Sequence, residues 1–244
     1  MIYFRTGMEG WSITRANVEA AGFTVASSSK TSFNDNDVIV NWGCLTPAEG
    51  GKQLNLPEAV KKCCDKPQTL AIIGELMPKV YDGYSEEIPL PFVMKKNGTH
   101  KGMGKRKVSR HTLKIGRMAA EYDTFQEFLD IQKEYRIITM MCGEKRIIFR
   151  MYEKVKNGLP SPREIFHPSW DFQRRTLDDV PVEIRKMCLD ASQTLGIDFV
   201  GFDVAVTPNG NVIIEANSAP GLGPDCAKKL FRKLSETFPS AINE

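Results

Sequence analysis

The sequence lacks the features of exported, membrane-spanning and disulfide-bonded proteins. No stretch approaches the apolar length of a membrane span, and the first residues do not form the long apolar run of a signal peptide. The six cysteines include no C-x-x-C pair and no zinc-finger spacing. We therefore expect a cytoplasmic protein whose cysteines are reduced thiols with structural roles.

Acidic residues are missing from one long basic segment. Residues 95–117 contain nine lysines and arginines and two histidines but no aspartate or glutamate, in a chain whose formal net charge is only +3. Glycines are interleaved with these cations. The combination predicts a mobile loop that meets anions, although a run of charge is often only a solvated surface.

The glycine-rich part of this basic segment matches neither common phosphate-binding motif. Met103 stands where a Walker A motif needs its second glycine, and Lys107 occupies the last glycine position of a G-x-G-x-x-G fingerprint. A glycine-rich loop between strands can still fold over phosphates with its backbone N–H groups, aided by lysine charge. The loop residues that we expect to contact phosphate are Gly98, Thr99, His100 and Gly102.

The first part of the chain has the pattern of a small α/β layer. Residues 2–4, 23–25 and 37–42 read as strands, with a helix over residues 12–21. This order predicts a mostly parallel sheet. A helix over residues 57–64 follows, and then a connector with three prolines, where we place a domain boundary near residue 85.

The second part of the chain has the pattern of an α+β unit. Strands are predicted over residues 91–95, 124–129, 135–141 and 146–152, the last two as an antiparallel hairpin. The proline-containing residues 157–175 read as irregular. Helices are predicted over residues 182–195, ending at Gly196, and over residues 226–237.

A hairpin near the C-terminus brings acidic residues together. Residues 202–206 and 212–217 alternate apolar and polar side chains around a Pro-Asn-Gly turn. If the turn is a three-residue loop, Asp203 lies opposite Glu215, and Asn217 projects from the same face. Adjacent like charges destabilise a sheet, and Mg²⁺ would compensate them because it prefers carboxylate oxygens, water and phosphates.

The competing interpretation is an ordinary solvent-facing hairpin. Its polar residues would then alternate because one face is wet, and a slip of one residue in register would separate the two acids. The glycine-rich residues 219–224 follow directly and cannot continue the strand. They predict a loop beside the acids, as a segment that grips a substrate would be.

These segments, in this order, resemble the ATP-grasp superfamily, and they look closest to its members that modify ribosomal protein or make glutathione. The resemblance covers residues 38–223, about three-quarters of the chain. The matching segments are residues 56–66, 91–95, 125–129, 134–136 and the hairpin of residues 201–217.

The resemblance implies roles for individual residues. Lys66 and Lys95 would neutralise ATP phosphates, and Arg136, with Arg150, would stabilise charge on the transferred group. Glu134 would contact the ribose. The adenine hinge would be formed by Gln126, Glu127 and Phe128, and two Mg²⁺ ions would be held by Asp203, Glu215 and Asn217.

The resemblance also implies the architecture, an ATP-grasp fold of α/β and α+β parts. A small N-terminal α/β domain would span residues 1–85, and an ATP-grasp domain would span residues 86–244. Within the second domain, a lid of about residues 90–130 and a metal-binding subdomain of about residues 131–244 would clamp ATP.

The predicted activity is that of an ADP-forming ATP- and Mg²⁺-dependent ligase, which joins a carboxylate to an amine through an acyl phosphate. Its partners would be small-molecule or peptide carboxylates and amines, with no membrane or nucleic acid. One alternative is another ATP-grasp kinase or carboxylase-type enzyme. The other is a non-enzymatic nucleic-acid- or protein-binding module that uses residues 95–117, a segment without the aromatics needed to stack single strands.

Overall fold

A computed structural model describes residues 1–7, 12–96, 104–156 and 170–241 of the chain. Four residues predicted to contact phosphate lie outside the described residues, namely Gly98, Thr99, His100 and Gly102. Residues 157–169, most of the segment predicted to be irregular, also lie outside them. Within the described ranges, no helix is both long and apolar enough to cross a membrane.

The first sheet has four parallel strands, which confirms the predicted parallel arrangement; the sequence predicts three of the strands and not the last one in chain order. Its elements in chain order are β1 (Ile2–Thr6), α1 (Ser12–Ala20), β2 (Thr24–Ser27), β3 (Val38–Trp42) and β4 (Lys52–Leu54). The strand order is β2-β1-β3-β4. β1 and β3 are buried along their whole length, as is typical of central strands in a parallel sheet covered on both faces.

Two helices follow the first sheet, α2 (Pro57–Cys64) and α3 (Lys66–Ile73). The sequence predicts only α2, with Asp65 and Lys66 at its end. In the structure Asp65 is extended, and its carboxylate accepts the backbone N–H of Gln68 at 3.3 Å. Asp65 therefore ends one helix and caps the next, which places Lys66 in the first turn of α3.

The second sheet has four antiparallel strands with its own small core. Its elements in chain order are β5 (Val80–Tyr81), β6 (Phe92–Lys95), β7 (Lys105–Val108), α4 (Leu113–Ala119) and β8 (Thr124–Glu127). The strand order is β5-β8-β6-β7. The sequence predicts β6 and β8 but not β7, because three of its four residues are basic and hide the apolar alternation of a strand.

The third sheet has five antiparallel strands. Its elements in chain order are β9 (Lys133–Cys142), β10 (Lys145–Lys156), β11 (Trp170–Arg174), α5 (Val182–Leu195), β12 (Phe199–Thr207), β13 (Gly210–Asn217) and α6 (Pro224–Thr237). The strand order is β11-β10-β9-β12-β13. β11 corrects the prediction of an irregular segment, because residues 170–174 pair with the last part of β10.

The two faces of the third sheet are covered differently. On one face α2, α3 and α5 enclose a core that includes Ile137 and Val204. On the other, Phe199 contacts Trp42 of the first sheet, with ring centroids 5.4 Å apart, in a core that also includes residues of α6. The rest of that second face bears charged side chains of β9, β10, β12 and β13. The domain division near residue 85 stays a prediction.

Asn55 connects the end of the first sheet to the start of β12. It is fully buried and has a left-handed backbone (φ 59°), which asparagine tolerates better than most residues. Its side-chain amide donates to the carbonyl of Phe199 and accepts the N–H of Phe199, both at 2.7 Å. The N–H of Asp198 donates to the same amide at 3.1 Å. One side chain thus satisfies three backbone groups between two sheets.

We expect the substitution Asn55→Ala to lower the free energy of unfolding by about 3 kcal/mol, because three buried backbone groups lose their partner and alanine is strained at this backbone angle. Urea unfolding would measure the loss. Asn209→Ala, in the exposed turn between β12 and β13, is the matched control and should change it by less than about 0.5 kcal/mol. Equal effects of the two substitutions would contradict this account of Asn55.

Candidate active site

One row of paired residues crosses all five strands of the third sheet. Neighbours in the row are partners in the strand registers, and side chains paired in this way project from the same face. The row is formed by Arg174 (β11), Tyr152 (β10), Arg136 (β9), Asp203 (β12) and Glu215 (β13). We call it the central row.

A β-bulge places the two acids of the central row opposite each other. The predicted three-residue loop is wrong, since Thr207 pairs with Gly210 across the two-residue turn Pro208-Asn209. The register then shifts by one residue at Ile214, so that Asp203 still pairs with Glu215, as predicted. Without the extra residue Asp203 would face Ile214, and the acids would lie on opposite faces.

Asp203 is the centre of a buried ion-pair network. Its carboxylate accepts two hydrogen bonds from Arg136, at 2.7 and 2.8 Å, and one from the ammonium group of Lys154 at 2.9 Å. Lys154 also donates to Glu134. Burial raises the pKa of Asp203, but the two cations outweigh it and bring the pKa below its usual value. Burial raises the pKa of Glu134, and Lys154 opposes that rise only in part.

The structure brings Glu215 and Asn217 to the same edge of the sheet. Glu215 is exposed and makes no hydrogen bond or ion pair with the described residues. Asn217 pairs with Gly201, two residues along the strands from the central row. Its side-chain oxygen accepts the N–H of Ala219 at 2.9 Å. A β-carbon on Gly201 would lie 2.7 Å from the β-carbon of Pro220, so only glycine lets the following loop cross there.

The side-chain oxygens at this edge of the sheet suit a magnesium ion that also binds phosphates and water. They suit less well a metal ion bound by protein side chains alone. Among the described residues, no group of three or more histidine, cysteine, aspartate or glutamate side chains could hold a metal ion. Asp203, Glu215 and Asn217 offer two carboxylates and one amide. Mg²⁺ is usually held by one or two carboxylates, with waters and phosphates as its other ligands. The residues present therefore fit Mg²⁺ bound together with a nucleotide.

Three lysines form the opposite side of the site. Lys95 and Lys105 pair across β6 and β7, and Lys66 begins α3. Burial and then the positive charges of Lys105 and Lys66 lower the pKa of Lys95 to about 7, and the charge of Glu215 opposes them in part. Paired like charges are unfavourable, and the acids Glu215 and Glu134 act on Lys105 from a distance. The arrangement fits a bound polyanion.

The predicted hinge residues lie where the chain leaves the second sheet. Gln126 is buried, and its side-chain oxygen accepts a hydrogen bond from Lys95. Glu127 accepts the backbone N–H of Lys79 at 2.9 Å. The ammonium group of Lys107 lies 3.6 Å from the ring centroid of Phe128. Gln126 and Glu127 end β8, and Phe128 begins the connection to β9.

The two predicted catalytic arginines have different surroundings. Arg136 contacts Asp203 directly, and its guanidinium lies 4.9 Å from the ring centroid of Phe172. Arg150 pairs with Ile138, and both lie two residues along their strands from the central row. Its guanidinium donates to the carbonyl of Asp225 in α6, at 3.4 Å, and makes no contact with Asp203. The structure thus groups Arg136 with the acids and Arg150 with α6.

Sequence reasoning missed two lysines of the site. Lys154 lies two residues beyond the predicted end of its strand at Tyr152. Because side chains alternate between the two faces of a strand, a longer strand would have placed Lys154 on the same face as Tyr152. Lys105 belongs to the basic segment and was not singled out. The sequence feature that could have identified Lys105 is its position just after the glycine-rich segment, because the strands on either side of that segment pair Lys105 with Lys95.

No profile of a known protein family matches the chain. No curated protein matches it either. Solved structures do match over nearly the whole length. The ATP-grasp ligase PsnB complexed with a minimal precursor is 12% identical, with a TM-score of 0.67, over 96% of this chain and 98% of that chain.

Two further structures show the same architecture. D-alanine–D-alanine ligase from Bacillus anthracis is 13% identical, with a TM-score of 0.66, over 98% of this chain and 97% of that chain. The macrocyclase MdnC from Microcystis aeruginosa MRC, bound with the precursor peptide MdnA, is 14% identical, with a TM-score of 0.62, over 97% and 100%. The chain therefore has the ATP-grasp fold, which confirms the predicted fold class.

We expect the substitution Asp203→Asn to lower the free energy of unfolding at pH 7 by about 3 kcal/mol, because Arg136 and Lys154 lose a buried anion. The pKa of Asp203 is lower in the folded state than its unfolded value of 3.8. The carboxylate therefore contributes to the free energy of unfolding above pH 3.8, and this contribution is lost as the pH falls below 3.8. The difference between the two proteins should therefore shrink in acid.

Urea unfolding at a series of pH values would measure this difference. Asp178→Asn is the matched control, because Asp178 is an exposed aspartate outside the network and its substitution should have little effect. A difference between wild type and Asp203→Asn that stays constant from pH 7 to pH 3 would show that the ion pairs are not its source.

Proposed function

We propose that this chain is an ATP- and Mg²⁺-dependent ligase that joins a carboxylate to an amine through an acyl phosphate. The observation that carries the proposal is the central row, which aligns Asp203, Glu215 and Arg136 across from Lys95 and Lys105. The similar structures support it, since they include an ATP-grasp ligase, a D-alanine–D-alanine ligase and a macrocyclase. Similar structures have also been solved with ADP and Mg, and with ATP.

ATP would lie between the second and third sheets. Lys66, Lys95 and Lys105 would neutralise its phosphate oxygens, since the three ammonium groups lie close enough to lower the pKa of Lys95 and Lys105. Glu134 would accept a ribose hydroxyl. The adenine would lie against residues 126–128, where the chain passes from one sheet to the other.

Asp203, Glu215 and Asn217 would hold two Mg²⁺ ions, which neutralise phosphate charge when bound. Asp203 can serve both its ion pairs and a metal, because a carboxylate has about four acceptor positions and three are occupied by Arg136 and Lys154. Arg136 and Lys154 would fix the carboxylate in place. Glu215 is exposed and can turn toward a metal without breaking a described contact.

The reaction would need no nucleophile from the protein. An oxygen of the substrate carboxylate attacks the γ-phosphorus of ATP, the bond to the β-phosphate oxygen breaks, and ADP leaves. The amine then attacks the acyl carbon, inorganic phosphate leaves, and the amine nitrogen gives up a proton to solvent. Arg136 would stabilise negative charge on the transferred group, and closure of the second sheet would keep water from the acyl phosphate.

The alternatives predict different dependence on an amine. A kinase or carboxylase-type ATP-grasp enzyme would release ADP without an amine, whereas a ligase needs the amine to complete each turnover. A nucleic-acid-binding module is not favoured by the structure, because Lys95 and Lys105 lie beside Glu215 and each other.

We expect Glu215→Gln to lower amine-dependent ADP release at least about 100-fold, because the site loses a metal-binding charge. Its fold should be unchanged, since Glu215 is exposed. ADP release would be followed with ATP, Mg²⁺ and pooled amino acids, and new products by mass spectrometry. Glu144→Gln, in the exposed turn before β10, is the control. Full activity in Glu215→Gln would count decisively against the scheme.

We expect ATP binding to take up a proton at Lys95. The free ammonium group has a pKa of about 7, and phosphate oxygens would raise it, so affinity for ATP should fall as the pH rises above 7. Lys95→Gln should bind ATP about tenfold more weakly at pH 7 and should lose this part of the pH dependence.

Calorimetry in two buffers with different ionisation enthalpies would count the protons taken up on ATP binding. Because ATP itself titrates in this range, the informative quantity is the difference between wild type and Lys95→Gln. Lys114→Gln, an exposed lysine of α4, should behave as wild type. Identical proton uptake in wild type and Lys95→Gln would exclude the proposed role.

A further inference from the structure

A second charged feature lies on the same face of the third sheet, at the end bordered by α6. It is a cavity of about 480 Å³, within the size range of small-molecule sites. Five of the six residues that line it are basic. They are Arg150, Arg174, Lys228, Lys229 and Arg232, and the sixth is Asp225. We call it the basic pocket.

The charges of the basic pocket are only slightly compensated by the described residues. Arg150 uses the carbonyl oxygen of Asp225, and Lys229 donates to the carbonyl of Phe149 at 3.0 Å, so neither contact involves a carboxylate. Arg232 has one loose and exposed ion pair, with Glu236 at 3.8 Å. The pKa of Lys229 is lowered by burial and then by Arg150 and Arg174. A concave surface with this excess of one sign concentrates anions.

The basic pocket adjoins the candidate active site. Arg174 belongs to the central row, and Arg150 lies in the neighbouring row, which also includes Gly201 and Asn217. β10 is two strand spacings from β12, which is about 10 Å between the backbones of Arg150 and Gly201. A small molecule can span this distance, so one end could react near Arg136 while the other lies in the pocket.

We propose that the basic pocket binds the non-reacting anionic groups of the carboxylate substrate, so that the substrate is a small acid with two or more negative charges besides the reacting carboxylate. This assignment rests on the proposed ligase function. The shared chemistry is an oligoanion, in which the further groups are carboxylates or a phosphate. Arg150 would then bind the substrate rather than stabilise the transferred group, which is consistent with its contact with α6 and not with Asp203.

Binding of acids of increasing charge to the whole protein tests the proposal. Acetate, succinate and tricarballylate carry one, two and three carboxylates, and calorimetry at constant ionic strength would give their affinities. We expect each added carboxylate to tighten binding about threefold or more. Phosphoserine, in a parallel titration, shows whether a phosphate group is preferred to a carboxylate, and tighter binding of either oligoanion than of acetate supports the pocket.

The double substitution Lys228→Ala and Arg232→Ala removes two exposed cations from the pocket, so the protein should fold. We expect it to weaken tricarballylate binding about fivefold and to leave acetate binding unchanged. The double substitution Lys61→Ala and Lys186→Ala, at exposed positions of α2 and α5 across the sheet, removes the same amount of charge and should behave as wild type. Equal affinity for acetate and tricarballylate, or equal loss in the control, would overturn the proposal.

The failure of this proposal and that of the ligase function are distinguishable. Amine-dependent ADP release together with charge-independent acid binding would overturn the pocket and leave the ligase intact. Charge-dependent binding that is lost in the double variant, in a protein that releases no ADP with any acid and amine, would overturn the assignment of the pocket to a ligase substrate.

Discussion

The buried carboxylate of Asp203 is the interaction on which the rest of the site depends. It lies in the fourth strand of a five-stranded sheet, where an unpaired charge would be costly, and Arg136 and Lys154 make it tolerable. Lys154 in turn satisfies Glu134. One carboxylate therefore fixes the positions of three other charged side chains, and it orients the guanidinium beside which the chemistry is proposed to occur.

A group of lysines lies opposite this network. Lys66, Lys95 and Lys105 come from α3 and the second sheet, and near them Glu215 is exposed without a partner among the described residues. The pKa of Lys95 falls to about 7 first because its ammonium group is buried and then because Lys105 and Lys66 are positively charged. A nucleotide with Mg²⁺ would compensate both sets of charges, because its phosphates would contact the lysines and its metal ion would contact the acids.

The second face of the third sheet has an apolar part and a charged part. Its apolar part, around Phe199, anchors the first sheet and α6. This anchoring brings Lys228, Lys229 and Arg232 of α6 beside Arg150 and creates the basic pocket. The helix that completes the core thus also supplies the cations of the basic pocket, so the packing that stabilises the fold also forms the proposed substrate-binding surface.

Local patterns in the sequence determined the parallel first sheet, the hairpin of β12 and β13, and the shared face of Glu215 and Asn217, because side-chain alternation and turn residues act over a few positions. Only the tertiary structure decided the bulge at Ile214, the approach of Lys105 and Lys154 to the acids, and the position of Arg150 beside α6. These depend on which strands become neighbours and in what register, and such long-range contacts leave no periodic signal in the chain.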